Sequence, residues 1–205
     1  MARKFDLSRL RKNVLHELNE ARNIVSRAED PSEYVFGRWI CTMVAVHVHA
    51  SWERYVENRL AAALNHKPDF FLETHDVRGV TNISAGFSNY IVRGGGRFFD
   101  FKSMSDLFAK GDDLLSKTDN PFRKLSKDEC KYIDALASIR NFVAHGSEAA
   151  NKSYRRQLLA VYSIKYPPSP GEFLLAKDNK AGSFARYKPR IYGLIIAVEK
   201  AVQNT

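Results

Sequence analysis

The chain has 205 residues, of which 44% are hydrophobic, and this suits one globular domain or one domain with an insertion. Its net charge of +9 favours a polyanionic partner, although an ordinary protein of high pI fits nearly as well. Two distant cysteines, Cys41 and Cys130, argue against a disulfide framework or a cysteine-based zinc site and fit a reducing, cytoplasmic compartment. The charged N-terminus precedes no apolar run, and no apolar stretch reaches the roughly 20 residues of a membrane span, so neither a signal peptide nor a membrane segment is expected.

The first third of the chain predicts two helices. Residues 6–29 repeat apolar side chains at three- and four-residue spacing, which is typical of an amphipathic helix. A second helix is expected from Ser32 to about Asn65, ended by Pro68. Its first half, which includes Trp39, offers little polar surface and is expected to be buried on most sides. The second half carries an apolar stripe, expected to be core or dimer interface, of Trp52, Tyr55, Val56, Leu60 and Leu64.

Residues 69–118 are expected to be an insertion. Glycines interrupt residues 69–103 and no period survives, so this part predicts one short helix with extended pieces. The triplet Gly94–Gly96 lacks the lysine and the strand–loop–helix frame of a phosphate loop, so a flexible turn is the better interpretation. Residues 103–116 have the pattern of another amphipathic helix.

A capped helix follows the insertion. Ser126 and Glu129 match a capping box, and the helix is expected to end at Gly146, a natural terminator. Arg140 falls on its apolar stripe, and an arginine in such a place must be paired or must face an interface or a pocket. The other members of the stripe are Ile133, Leu136, Ala137 and Val143.

The remaining chain predicts two helices around a loop. Residues 151–165 form the first, and its inward residues are expected to be Leu158, Leu159, Val161 and Tyr162. Residues 166–188 are expected to be a proline-rich loop followed by a small β-hairpin of residues 173–176 and 183–187. The last helix begins at Pro189. Because helices dominate, the sequence indicates the all-α class.

His145 follows Arg140 by five positions, which on an ideal helix is a rotation of about 140°. The two side chains therefore do not share a face. Either the helix end loosens so that both meet in one cavity, or each contributes to a site that a second subunit completes. The pair has suitable chemistry for a phosphodiester, since guanidinium matches phosphate and imidazole exchanges protons near neutral pH.

The segment Ser138–Gly146, SIRNFVAHG in one-letter code, resembles the Arg-polar-x(3–5)-His motif of HEPN domains, all-helical domains of prokaryotic toxins and defence proteins and of some eukaryotic RNases. Upstream, Ala50–Glu57 resembles the long helix of the HEPN subgroup associated with RNase LS and RiboL-PSP-like proteins. The resemblance covers residues 32–66 and 119–165. It implies an all-α, HEPN-like helical bundle, as a single domain over residues 1–205.

The resemblance also implies a homodimer in which two copies of the motif face each other across a cleft, where RNA is cut without a metal or other cofactor. Arg140 would bind the scissile phosphate and stabilise its developing charge. His145 would take a proton from a ribose 2′-hydroxyl or give one to the leaving oxygen. Asn141 would orient the histidine or the phosphate, and Glu53 matches an acidic position that would pair with Arg140. The products would carry a 2′,3′-cyclic phosphate and a 5′-hydroxyl.

The leading hypothesis is therefore a metal-independent endoribonuclease of the prokaryotic defence or toxin–antitoxin type, cytoplasmic, not bound to a membrane, and with an antitoxin protein as a partner. Lys152, Arg155 and Arg156 would form a basic rim for the RNA backbone, although a solvated helix face explains them equally well. Ser147 stands where one toxin subgroup has a tyrosine, so adenylylation there is not expected.

Other hypotheses stay open. Arg140 has a structural role if it pairs with Glu53 or Glu57, and His145 then serves as a C-terminal residue that favours the helix dipole. A non-catalytic module that binds RNA or a protein partner in the same cleft is the main alternative function. A nucleotide-binding or regulatory helical domain is the third.

Overall fold

The computed structural model describes residues 4–27, 34–97 and 99–205. Within these ranges it contains nine α-helices, numbered here in chain order, one short 3-10 helix at Pro121–Lys124, and no strand beyond an isolated bridge. The helices are α1 (Leu7–Arg27), α2 (Tyr34–His66), α3 (Asp69–Thr74), α4 (Ala85–Val92), α5 (Met104–Leu114), α6 (Lys127–His145), α7 (Glu148–Tyr162), α8 (Pro170–Leu175) and α9 (Arg190–Asn204). The all-α class is confirmed. The predicted start of the second helix, Ser32, lies outside the described residues.

The chain forms two compact units. Unit 1 comprises the described residues of Met1–Val14, Trp52–Leu125 and Val202–Thr205, and unit 2 those of Leu15–Ser51 and Ser126–Ala201. Helices α1, α2 and α9 contribute residues to both units. The predicted insertion belongs to unit 1, whereas Arg140 and His145 belong to unit 2. A single domain over the whole chain stays a prediction.

Aromatic side chains of α2 build the core of unit 1. The predicted stripe from Trp52 to Leu64 is fully buried, which places it in the core. Trp52 packs edge-on against Phe122, with 5.8 Å between ring centroids. The hydroxyl of Tyr55 donates to the carbonyl of Val202 at 3.2 Å. Each large apolar side chain buried in this way contributes roughly 1.5–3 kcal/mol of transfer free energy.

Residues 69–118 contain more helix than the sequence predicts, because α3, α4 and α5 all lie there. The expected glycine turn is present, since Gly94 and Gly95 have φ angles of +59° and +77°. Asn120, which is buried, donates to the carbonyl of Phe108 at 3.2 Å and so ties the chain that follows the insertion to α5.

The β-hairpin predicted for residues 173–176 and 183–187 is wrong. Phe173 to Leu175 belong to α8 instead. The amide and the hydroxyl of Ser169 both donate to the carboxylate of Glu172, at 3.1 and 2.8 Å, and a proline occupies the first helical position. These start signals outweigh the strand-like pattern of the apolar residues that follow.

The first half of α2 is far more exposed than predicted. Val35 is 74% exposed and Trp39 is 60% exposed, and Phe36 and Met43 also lie at the surface. The expected burial is wrong because low polarity does not say which molecule covers a helix face. Leu159 of α7, also expected to face inward, is 51% exposed. In the described part of the chain, no helix combines the length and apolarity needed to cross a membrane.

Candidate functional site

Helix α6 carries the candidate site and is fixed at both ends. At its start the amide of Glu129 donates to Ser126 Oγ at 3.2 Å, and the Glu129 carboxylate accepts from the Ser126 amide at 2.7 Å, so the predicted capping box is confirmed. At its end Gly146 has a φ of +58° and its amide donates to the carbonyl of Phe142 at 2.9 Å. The last turn, which presents His145, is therefore held by a regular terminator.

The helix does not loosen before His145. Residues 140–145 are all α-helical, so Arg140 and His145 leave the backbone about 140° apart. The loosened helix end, which was one of the two arrangements that the sequence allowed, is therefore not found. Asn141, by contrast, precedes His145 by four positions and lies on the same face of the helix.

The Arg140 side chain turns toward Asn141. Its Nη1 donates to Asn141 Oδ1 at 3.0 Å, which brings the positive charge to the face that Asn141 shares with His145. Arg140 is half-buried, whereas Asn141 and His145 are exposed. These three residues, the α6 cluster, form an accessible polar group around one helical turn.

The guanidinium of Arg140 is not neutralised by a carboxylate of its own unit. No ion pair joins it to an aspartate or glutamate among the described residues of unit 2. Glu57, one of its two candidate partners, pairs with Arg93 in unit 1 at 2.5 Å. Glu53 also belongs to unit 1, and its pairing with Arg140 stays a prediction. Without a partner in unit 2, Arg140 keeps the charge that binding a phosphate requires.

A surface cavity of about 400 Å³ in unit 2 adjoins the α6 cluster. Phe142 and Val143, which lie in sequence between Arg140 and His145, form one wall. Its lining residues are Val35, Arg38, Trp39, Thr42, Phe142, Val143, Ser169, Pro170 and Gly171. Because most of these are apolar, the cavity suits an apolar or aromatic group rather than an ion.

Buried contacts support the cavity wall. The ring of Phe142 stacks on that of Tyr154, with 5.1 Å between centroids and 17° between planes. Burial raises the pKa of Tyr154 well above its usual value, so its hydroxyl stays protonated and donates to the carbonyl of Pro168 at 2.9 Å. Hydrogen bonds from Ser169 lower the pKa of Glu172, which keeps the carboxylate charged.

The charged Glu172 in turn holds a cation at the cavity. It accepts from Arg38 Nη1 at 2.7 Å, so the guanidinium of Arg38 has a partner within unit 2, unlike that of Arg140. Arg38 also lies over the ring of Tyr34, with 5.5 Å from its Cζ to the ring centroid. Within the described residues of unit 2, Arg38 therefore has a carboxylate partner and Arg140 has none.

The predicted basic rim lies on α7. Lys152 pairs with Glu148 at 2.7 Å, whereas Arg155 and Arg156 are exposed and form no ion pair within the described residues. The arginines are thus better placed than Lys152 to meet a phosphate backbone. Among the described residues, no group of three or more His, Cys, Asp or Glu side chains is arranged to hold a metal ion.

Sequence reasoning found the α6 cluster but missed two features beside it. Neither the cavity nor the exposed surface of Val35, Phe36, Trp39 and Met43, here called the α2 apolar patch, was predicted. The signal available was the scarcity of charge in this half of α2, whose one charged residue is Arg38, and such scarcity is equally typical of an interface. Comparisons of the chain with protein-family models, with curated proteins and with solved structures found no match.

Proposed function

We propose that this protein is a metal-independent endoribonuclease that acts as a homodimer. The observation that carries the proposal is the α6 cluster, in which an arginine without a carboxylate partner in its unit, an amide and a histidine surround an exposed helix end. The resemblance of this segment to HEPN domains supports the same chemistry. It also supports a role in prokaryotic defence or toxin–antitoxin systems, with an antitoxin as the proposed protein partner.

In the proposed reaction, the 2′-hydroxyl of a ribose attacks the adjacent phosphorus. The imidazole of His145 accepts the hydroxyl proton, or the imidazolium donates a proton to the leaving 5′-oxygen. The new bond joins the 2′-oxygen to phosphorus, and the bond from phosphorus to the 5′-oxygen breaks. Arg140 stabilises the charge on the phosphoryl oxygens, and Asn141 orients the guanidinium. Water and metal ions are not consumed, and the products are a 2′,3′-cyclic phosphate and a 5′-hydroxyl.

A second subunit would allow Arg140 and His145 of different protomers to contact the same phosphate. Because Arg140 and His145 leave the helix backbone about 140° apart, a complete site is easier to build from Arg140 of one protomer and His145 of its partner. The α2 apolar patch supports this arrangement, since large exposed apolar surfaces mark interaction sites and a two-fold interface uses the same patch twice.

Cleavage of a labelled single-stranded RNA in the presence of EDTA tests the nuclease. We expect cleavage by the natural protein, and a loss of at least about 100-fold in His145→Ala and in Arg140→Ala. The control His16→Ala, which removes an exposed histidine of α1, should retain activity. Product ends and folding are checked by mass spectrometry and circular dichroism. Cleavage that requires a divalent metal, or that survives in folded His145→Ala, refutes the proposal.

Mixing two inactive variants tests the shared site. If each site takes Arg140 from one protomer and His145 from the other, heterodimers of Arg140→Ala and His145→Ala contain one intact site. Random exchange then restores about a quarter of the natural activity, since half of the dimers are mixed and each has one of two sites. Sites built within single protomers predict no recovery.

Trp39→Asp in the α2 apolar patch should yield monomers by light scattering and abolish cleavage.

The second candidate function is a non-catalytic module that binds RNA or a protein partner. The regular helix end favours it, because the Arg140 and His145 side chains of one protomer leave the helix on different faces. Under this function the natural protein binds RNA but leaves it intact in both EDTA and Mg²⁺. Expression in a bacterial host separates the two, since only a nuclease should slow growth in a manner that His145→Ala relieves.

A further inference from the structure

The positive charge of the chain is concentrated in one segment. Residues 150–190 contain nine lysines or arginines and two acidic residues, so they carry +7 of the net charge of +9. All of them lie in unit 2. A charge density of this kind raises the local concentration of polyanions and speeds their association.

Both acidic residues of the segment are occupied by other contacts. Glu172 accepts from Arg38 and from Ser169. Asp178 is 2% exposed, accepts from Ser183 Oγ at 2.5 Å, and so offers almost no charge to solvent. Neither carboxylate is therefore available to pair with the exposed cations of the segment.

Two exposed tyrosines are interleaved with these cations. Tyr166 is 77% exposed and Tyr187 is 60% exposed. Lys165 Nζ lies 5.4 Å from the ring centroid of Tyr166, and Arg186 Cζ lies 4.7 Å from that of Tyr187. Exposed aromatic rings beside basic side chains are the elements with which proteins stack single-stranded bases and hold the adjoining phosphates.

The backbone around Tyr187 is held in an uncommon conformation. Its φ is +67°, a left-handed region that bulky side chains rarely adopt. Its amide donates to the carbonyl of Asp178 at 2.7 Å, and the Asp178 amide donates to the carbonyl of Lys188 at 2.8 Å. An isolated antiparallel bridge between Lys177 and Pro189 closes the loop. The fold thus maintains a strained residue whose ring remains in solvent, and such strain is typical of functional positions.

This loop is attached to the C-terminal end of α7. Lys180 Nζ donates to the carbonyl of Val161, one residue before the end of that helix. Tyr166 follows Val161 by five residues, and Arg155 and Arg156 precede it on α7 by roughly 8–9 Å along the helix axis. Lys180 therefore attaches the loop that carries Arg186 and Tyr187 to the helix that carries Arg155 and Arg156.

We propose that this surface binds single-stranded RNA separately from the α6 cluster. It is called the basic–aromatic surface here, and its defining residues are Arg155, Arg156, Tyr166, Arg186, Tyr187 and Lys188. The inference rests on the proposed function only in taking RNA as the substrate. The surface holds the strand through phosphates and stacked bases while the α6 cluster acts on another part of it. Exposed rings favour single strands over duplex RNA, whose bases are already stacked.

Binding is tested with the full-length His145→Ala protein and a fluorescent oligouridylate of about 15 nucleotides, near the upper site size of single-strand-binding folds. Tyr166→Leu and Tyr187→Leu should each weaken binding by about fivefold or more, whereas Tyr166→Phe and Tyr187→Phe keep the ring and should bind normally. The double variant Arg186→Ala/Lys188→Ala should reduce the slope of log affinity against log salt by about 1.4. The matched control Lys127→Ala/Lys131→Ala, exposed at the start of α6, should change neither quantity.

Several results overturn the proposal. The first is normal RNA binding by both folded leucine variants. The second is a reduction of the salt slope by Lys127→Ala/Lys131→Ala that equals the reduction by Arg186→Ala/Lys188→Ala. The third is tighter binding to duplex RNA or phosphatidylserine vesicles than to oligouridylate. Failure of the nuclease hypothesis gives a different result: the natural protein then leaves RNA intact although the tyrosine variants still bind it less tightly. If cleavage is real, the same tyrosine variants in the active protein should raise KM and leave kcat nearly unchanged.

Discussion

Gly171 offers a sharp test of how unit 2 is packed around the cavity. It is buried in α8, and a Cβ atom at this position would lie 2.6 Å from the carbonyl oxygen of Arg38 and 3.0 Å from both Arg38 Cβ and Thr42 Oγ1. The carbonyl cannot easily yield, because it belongs to the backbone of α2 and accepts from Thr42 Oγ1 at 2.9 Å. Gly171→Ala must therefore push α8 away from α2.

The expected destabilisation follows from this overlap. Adding a methyl group to a well-packed site costs about 1–3 kcal/mol. Displacement of α8 also weakens the ion pair between Arg38 and Glu172, but this pair is partly exposed and solvent screens it, so its loss adds little. For a chain of this length, 1 kcal/mol changes Tm by about 2–4 °C, so the packing effect should lower Tm by about 2–12 °C.

Thermal unfolding followed by circular dichroism at fixed protein concentration measures the effect. Gly86→Ala is the matched control, because Gly86 is exposed in α4 and no atom lies within 4 Å of the place that a Cβ would take there. At this position the same methyl group should leave stability unchanged or raise it by up to about 1 kcal/mol, since alanine favours a helix. A Gly171→Ala protein with a Tm equal to or above that of the natural protein would refute the packing argument.

Three further predictions concern stability. Ser126→Ala removes the acceptor for the Glu129 amide and should cost about 1 kcal/mol in urea unfolding; an unchanged midpoint would contradict the role of the capping box. Gly146→Ala places a Cβ at a φ of +58° and should cost about 1–2 kcal/mol, while Gly146→Asn should be milder, an order that differential scanning calorimetry can check. The hydroxyl of Tyr162 is buried with no hydrogen-bond partner among the described residues, so Tyr162→Phe should stabilise by about 1 kcal/mol. Burial also raises the pKa of Tyr162 well above its usual value, so the folded protein keeps a phenol proton that the unfolded chain loses above its pKa of about 10. Stability is therefore unaffected by this group below that pH and falls as the pH rises toward the folded pKa. The free energy of unfolding of the natural protein should thus fall more between neutral and alkaline pH than that of Tyr162→Phe. Parallel urea titrations at the two pH values measure both decreases, and equal decreases would contradict the prediction.

The sequence by itself was sufficient for features that depend on neighbouring residues. The capping box of Ser126 and Glu129 and the terminator Gly146 were predicted because each interaction spans at most four residues. The buried stripe from Trp52 to Leu64 was predicted because a helical period is a local property. The unusual position of Arg140 on an apolar stripe was visible for the same reason.

The tertiary structure decided which faces are covered. Trp39 and the rest of the α2 apolar patch look like core residues in the sequence, because apolarity does not distinguish burial in the same chain from burial against another molecule. Residues 173–176 have a short apolar run that fits a strand or a buried helix. The contacts of Ser169 with Glu172 that start the helix span only three residues, so this error came from a local signal that was overlooked and not from tertiary packing.

Charge also illustrates the difference between what the sequence shows and what the folded chain shows. The sequence shows that residues 150–190 are basic, but only the folded chain shows that Glu172 and Asp178 are occupied and that Arg140 turns to Asn141. The pairing of Glu172 with Arg38 depends on which distant segments come within a few ångströms of one another, whereas the contacts of Asp178 and Arg140 are made with residues one to five positions away. Contacts between segments far apart in the chain are set by the packing of whole helices, and no local pattern of residues encodes them.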